Sequence, residues 1–168
     1  MRNTSFAEMH CSIARSLEVM GDWWSPLILR DLYLGLNRFD QLVTDLGISR
    51  NLLTDRLATL VEGGLVRREA YQDRPVRYAY ALTDAGCELV PVLMALTAWG
   101  NKWATPAGGP PLLFKHDTCG HIATPTVTCS ECGDPLTADT VSPQPGPGGR
   151  TAPGTALIAT VLGADPAL

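Results

Sequence analysis

The sequence predicts a mainly α fold with a small β wing (α+β), and three observations carry that prediction. Apolar residues recur at helical spacing in two groups split by Gly47-Ile48: Phe39, Leu42, Val43 and Leu46, then Leu53, Leu57, Leu60 and Val61. Two helices joined by a tight glycine-containing turn form a helix-turn-helix. Gly63-Gly64 then stops the second helix, and two strand-like runs, 65–70 and 76–82, flank the polar turn Gln72-Asp73-Arg74-Pro75. Helix, turn, helix and a two-stranded wing make a winged helix-turn-helix. The third observation is a repeated spacing further on, His116-x-x-Cys119-Gly120 and Cys129-x-x-Cys132-Gly133, which marks a separate small unit.

At 168 residues the chain holds one ordinary domain and an appendage. Residues 1–104 form the winged domain with its flanking helices. Residues 105–111 (TPAGGPP) have linker composition, residues 112–141 form the cysteine-rich unit, and residues 142–168 are a Pro/Gly-rich tail. No run of 18 apolar residues occurs, so no membrane partner is expected, and the first residues lack a hydrophobic signal region. A cytoplasmic location follows as an expectation. In a reducing compartment, five cysteines with one C-x-x-C pair favour metal binding or redox chemistry over a disulfide scaffold.

In chain order, residues 1–10 read as a loose arm. Residues 11–20 fit a helix with Ile13, Leu17 and Met20 on one side, broken by Gly21-Asp22. Ser25 is the expected N-cap of the next helix, with Pro26 in its first turn. After the helix-turn-helix and wing, Thr83-Asp84 opens a long helix to Trp103, which Pro91 should kink. Its apolar face (Val92, Leu96, Trp99, Trp103) exceeds what so small a domain can cover. A second copy is therefore expected there, paired through the first and last helices of the winged domain. The tail 155–168 is mildly apolar, and periodicity does not decide between helix, strand and coil.

The second helix of the pair presents Arg50, Asn51 and Thr54 off its apolar stripe. Arginine can read guanine, asparagine adenine, and threonine a base edge or phosphate. Ser49 suits a helix cap. Arg56 lies nearer the buried face, where a phosphate contact and an internal salt bridge are both open to it. With Arg38, and with Arg74 and Arg77 on the wing, these residues form the candidate DNA-binding set. Residues 38–77 contain seven arginines (38, 50, 56, 67, 68, 74, 77). The whole chain is nevertheless acidic, at net −4 with a pI near 5.3, which argues against indiscriminate nucleic-acid binding.

In the cysteine-rich unit, His116, Cys119, Cys129 and Cys132 make a closed tetrahedral zinc set, with glycine after each pair for the turn. Nine residues between the half-sites allow a short hairpin over 122–128, turning near Pro125. His121 is the alternative fourth ligand. Four protein ligands leave no open position for catalysis, so the zinc cofactor this set implies would be structural.

The stretches Cys11-Ser12-Ile13, Val19-Met20-Gly21-Asp22-Trp23-Trp24, Leu27-Ile28-Leu29-Arg30-Asp31, Arg38-Phe39, Gly47-Ile48-Ser49, Arg56-Leu57 and Tyr80-Ala81-Leu82-Thr83 with Gly86 resemble the HxlR-type transcriptional regulators over about residues 11–103. The resemblance implies a homodimeric winged helix-turn-helix repressor or activator, joined through its first and last helices. Some such regulators carry a sensing cysteine near the start of the first helix, the position of Cys11. This chain has Ser12 where many members have proline. The C-terminal unit resembles a small zinc ribbon, which follows the winged domain in some regulators of this type.

The reading is a non-enzymatic regulator, a repressor in preference to an activator, with double-stranded palindromic operator DNA as partner. Its inputs would be an oxidant acting on Cys11 or a small-molecule effector. Cys11 could instead pack in the helix seam, and Cys87 is a weaker sensing candidate. Trp23, Trp24, Trp99 and Trp103 are the candidate effector pocket, unless they simply fill the core. A protein-interaction module and a thiol or zinc enzyme are the alternatives.

Overall fold

A computed structural model describes residues 5–162. Its elements are α1 (Ser12–Met20), α2 (Trp24–Tyr33), α3 (Phe39–Leu46), α4 (Arg50–Glu62), β1 (Val66–Asp73), β2 (Val76–Leu82), α5 (Asp84–Glu88), α6 (Val90–Trp103), β3 (Phe114–Lys115), β4 (Ile122–Ala123) and α7 (Ala156–Val161). The helix-turn-helix lies where the apolar spacing put it. Gly47 takes a left-handed conformation (φ +63°) between α3 and α4, and the Ser49 Oγ accepts the Leu52 N–H at 3.3 Å to cap α4. Leu53, Leu57 and Leu60 are buried with Ile28, Leu29 and Leu42, so α2, α3 and α4 share one core.

The wing pairs β1 with β2 antiparallel from Val66↔Leu82 to Asp73↔Val76, with a register shift at Tyr71. Its base is locked to α5 by Thr83. The Thr83 N–H donates to the Leu65 carbonyl, its hydroxyl donates to the Gly64 carbonyl at 2.6 Å, and the same oxygen accepts the Gly86 N–H. A β-carbon on Gly86 would lie 2.2 Å from the Leu65 carbonyl oxygen, so only glycine permits this approach.

Several expectations are corrected. Ser25 does not cap α2. The helix starts at Trp24, whose N–H donates to Asp22 Oδ1 at 3.1 Å, and Ser25 is buried inside the first turn. An upstream carboxylate reached the free N–H first. The long terminal helix is broken, not merely kinked, between α5 and α6 at Leu89. Pro91 supplies no N–H and its ring crowds the carbonyl four residues back. The arm is not loose over residues 5–10. Glu18 on α1 accepts from the Ser5 hydroxyl (2.8 Å) and the Phe6 N–H (2.6 Å), and Arg15 donates to the Ala7 carbonyl. Residues 1–4 of that arm and 163–168 of the tail lie outside the described residues.

The predicted hairpin over 122–128 does not form. Each half-site instead sits in its own turn: β3 pairs with β4 around His116 and Cys119, and Thr128 bridges Pro135 around Cys129 and Cys132. The Pro/Gly-rich stretch 142–154 lacks helix and strand, and α7 (Ala156–Val161) follows it.

The Phe6 N–H, with the Ser5 hydroxyl and Arg15, holds the Glu18 carboxyl below its ordinary value. A depressed carboxyl contributes stability above its unfolded pKa and loses it as pH falls through the folded one. Arm docking should therefore weaken in acid, and Glu18→Gln should release it at neutral pH. Hydrogen exchange at the Phe6 amide reads this directly: slow exchange at pH 7 in the Gln variant would refute the clamp.

Candidate nucleic-acid interface

Arg50, Asn51 and Thr54 are exposed in the first turns of α4, while Leu53 and Leu57 of the same helix are buried; Arg50, the first residue of α4, is exposed by its place at the helix end. The Thr54 hydroxyl donates to the Arg50 carbonyl at 2.9 Å, which leaves its methyl and its lone pairs for an outside partner. Arg50 is held twice. Its Nη1 lies 2.7 Å from Asp40 Oδ1 in the first turn of α3, and its guanidinium carbon is 4.9 Å from the Phe39 ring centroid.

The wing reaches the same region through Arg38. This residue precedes α3, and its guanidinium carbon stacks 3.5 Å from the Tyr71 ring centroid on β1. Backbone contacts make the junction rigid: Arg38 bridges Ala79, and the Tyr80 N–H donates to the Asn37 carbonyl. A continuous chain of contacts thus runs Tyr71, Arg38, Phe39, Asp40, Arg50, joining the wing to the starts of both helices. On the wing itself Arg68 lies over Tyr78 at 4.9 Å, and Arg74 and Arg77 are exposed beside Pro75 at the tip.

Two arginines point elsewhere. Arg56 Nη2 pairs with Asp22 Oδ2 at 2.6 Å, the internal salt bridge of its two alternatives. Arg67 bonds Glu69 and the Leu82 carbonyl and so braces its own sheet. Ser49 is engaged as the α4 cap. Asp40, Tyr71, Arg68 and Tyr78 were not singled out from the sequence. The alternation of polar and aromatic residues along the strands is the signal that could have found the last three.

The four tryptophans divide between core and surface. Trp24 packs against the core, Trp23 is 92% exposed, and Trp99 and Trp103 stand out from α6 at 60% and 66%. Among the cavities beside α6, a groove of about 340 Å³ runs past Ala98, Asn101, Lys102, Leu113, Phe114 and Ile122. A smaller one lies by Arg30, Leu93 and Met94, and neither is lined by tryptophan. Cys11 is half-buried at the start of α1. Its basic neighbours in sequence are engaged: Arg15 donates to the Ala7 carbonyl, and His10 Nε2 accepts from Arg150 Nε at 2.9 Å. Cys87 is exposed on α5.

Both half-sites of the C-terminal unit adopt knuckle turns. Cys119 Sγ lies 3.4 Å from His116 Nδ1, the Gly120 N–H donates to the His116 carbonyl, and Gly120 is left-handed (φ +75°). In the second, the Gly133 N–H donates to the Cys129 carbonyl and Gly133 is left-handed (φ +78°). The backbone N–H of Cys132, with that of Glu131, holds the Cys129 thiol below its ordinary value, which favours the thiolate a metal needs. Among the described residues, no three His, Cys, Asp or Glu side chains are grouped to hold one ion. The donor chemistry fits zinc, and the two half-sites stand formed but not joined.

Known proteins with this geometry are helix-turn-helix regulators. The chain is 44% identical over 137 residues to the uncharacterized HTH-type transcriptional regulator Rv3095 of Mycobacterium tuberculosis, covering 82% of this chain and 87% of that one. The structure of PA1607, a presumptive transcription factor, superposes with a TM-score of 0.73 at 32% identity, covering 84% of this chain and 99% of that one. The redox regulator HypR in its reduced form is similar over 55% of this chain and 92% of its own, with a TM-score of 0.51 and 28% identity. A family match to HxlR-like helix-turn-helix proteins spans residues 19–107, from the end of α1 to just past α6. The Ser49 cap, α4, the wing and α6 all fall inside it, and the chain belongs to the HxlR-like helix-turn-helix family of transcriptional regulators.

Proposed function

We propose that this chain is a homodimeric transcriptional repressor that binds a palindromic operator in the cytoplasm, with α4 in the major groove and the wing on the flanking backbone or minor groove. The observation that carries the reading is the exposed first turn of α4, with Arg50, Asn51 and Thr54 free of the core and tied to the wing through Arg38 and Tyr71. Local arrangement outweighs the acidic total here, because base reading depends on three or four side chains at one groove.

Dimerisation is supported by two uncovered apolar faces. Ile13, Leu17 and Val19 on α1, and Val92, Leu96, Trp99 and Trp103 on α6, are all exposed in the single chain. Covering them with a second copy would place two recognition helices on half-sites about 34 Å apart. The operator test is fluorescence anisotropy on DNA from upstream of the chain's own gene, titrated against salt. Tight binding that falls steeply with salt is expected. Arg50→Ala and Asn51→Ala should each cost about 1–3 kcal/mol on the operator. Binding that ignores salt would instead favour a protein-interaction module.

A zinc ion is the second part of the proposal. His116 and Cys119 would supply one half of its shell, Cys129 and Cys132 the other. Such an ion supplies folding free energy to a segment with almost no buried surface of its own. Elemental analysis of the purified protein should find about one zinc per chain. Cys132→Ser should lose it, and a metal-free wild-type protein would refute the site.

Control by a thiol is the third part. HypR is a redox regulator, and Cys11 occupies the start of the first helix, where some regulators of this type sense oxidants. Mild oxidant should abolish operator binding, reductant should restore it, and Cys11→Ser should be indifferent. If the Ser variant responds like wild type, the switch lies elsewhere.

A further inference from the structure

We infer that Asp40 is a positioning residue for base readout: it holds Arg50 for guanine and keeps it from the phosphates. The inference rests on the operator-binding reading above. Asp40 lies in the first turn of α3, and its carboxylate accepts from Arg50 Nη1 at 2.7 Å, while Phe39 lies beneath the guanidinium. Both partners of the pair are about two-thirds exposed. An exposed pair of this kind adds little to stability, so its placement at the reading end of α4 calls for another account.

Charge supplies one. A guanidinium carries five N–H donors, and Asp40 occupies only Nη1 in this geometry. The rest of the fork remains for the two acceptors on a guanine edge, so Arg50 can read guanine without leaving Asp40. A phosphate makes a different demand. To reach the backbone, Arg50 must break the ion pair and leave a bare carboxylate facing a polyanion. The pair therefore subtracts from binding to arbitrary DNA while subtracting nothing from binding to the operator. Preference for the operator rises although no base contact is added. In a chain of net charge −4, this is an acidic residue whose position at the interface has a use.

The test compares Asp40→Asn with wild type by anisotropy on operator and on scrambled duplex at several salt concentrations. The Asn variant should bind scrambled DNA about three- to fivefold more tightly. Its salt slope on that duplex should steepen by about one, as a freed arginine takes up a phosphate. Operator preference should fall accordingly, and Asp40→Glu, which keeps the charge, should recover most of it. In an Arg50→Ala background the same substitution removes only a bare carboxylate, so operator and scrambled duplex should tighten alike and operator preference should not change, which separates positioning of Arg50 from simple repulsion of DNA by Asp40. A wild-type preference and slope in Asp40→Asn, or an equal fall in operator preference in the Arg50→Ala background, would overturn the inference while leaving operator binding intact. A wild-type protein with no operator preference would instead remove the reading on which it stands.

Discussion

The burial of Leu53, Leu57 and Leu60 against Ile28, Leu29 and Leu42 is the constraint on which the rest of the winged domain depends. Each fully buried leucine contributes about 1.5–3 kcal/mol relative to exposure. Three on one side of a helix also set its rotation about its own axis. With that rotation set, Asn51 and Thr54 face solvent, and Arg50 is exposed at the end of the helix. The exposed start of α4 is thus a consequence of the core: the same periodicity that closes the domain selects which side chains of this helix remain in solvent.

The wing is placed by a different kind of contact. Thr83 bonds the strand ends through both its N–H and its hydroxyl, and Gly86 lets α5 approach the Leu65 carbonyl more closely than any side chain would allow. At the other end Arg38 stacks on Tyr71. The sheet is held at base and flank, while its tip, with Arg74 and Arg77, stays exposed. A rigid base with an exposed basic tip leaves little conformational freedom to lose on binding.

Helix α6 has two faces with different roles. Val90, Leu93 and Met94 face inward, and Asn101 donates to the Leu112 carbonyl, tying the helix to the segment that leads into the cysteine-rich unit. Val92, Leu96, Trp99 and Trp103 are uncovered. Similarity to the mycobacterial regulator covers 82% of the chain and to PA1607 84%, more than the family match at 19–107. The likeness therefore extends beyond the winged domain.

What the sequence by itself determined is the set of features governed by neighbours along the chain. Two helices split at Gly47, the Ser49 cap, the stop at Gly63-Gly64, the wing hairpin and the glycine turns after Cys119 and Cys132 were all legible, because helical period, capping and left-handed turns act over a few residues. Tertiary structure decided everything that depends on partners distant in sequence. Arg56 met Asp22, Arg50 met Asp40, Glu18 captured the arm, and the tryptophans separated between core and surface. The start of α2 shifted because Asp22 outcompeted Ser25 for a free N–H, and the hairpin expected over 122–128 gave way to two local turns. Spacing states which residues share a helix face. Only the packed chain states which charge stands opposite which, since Coulomb and hydrogen-bond energies depend on distances in space that sequence separation does not fix.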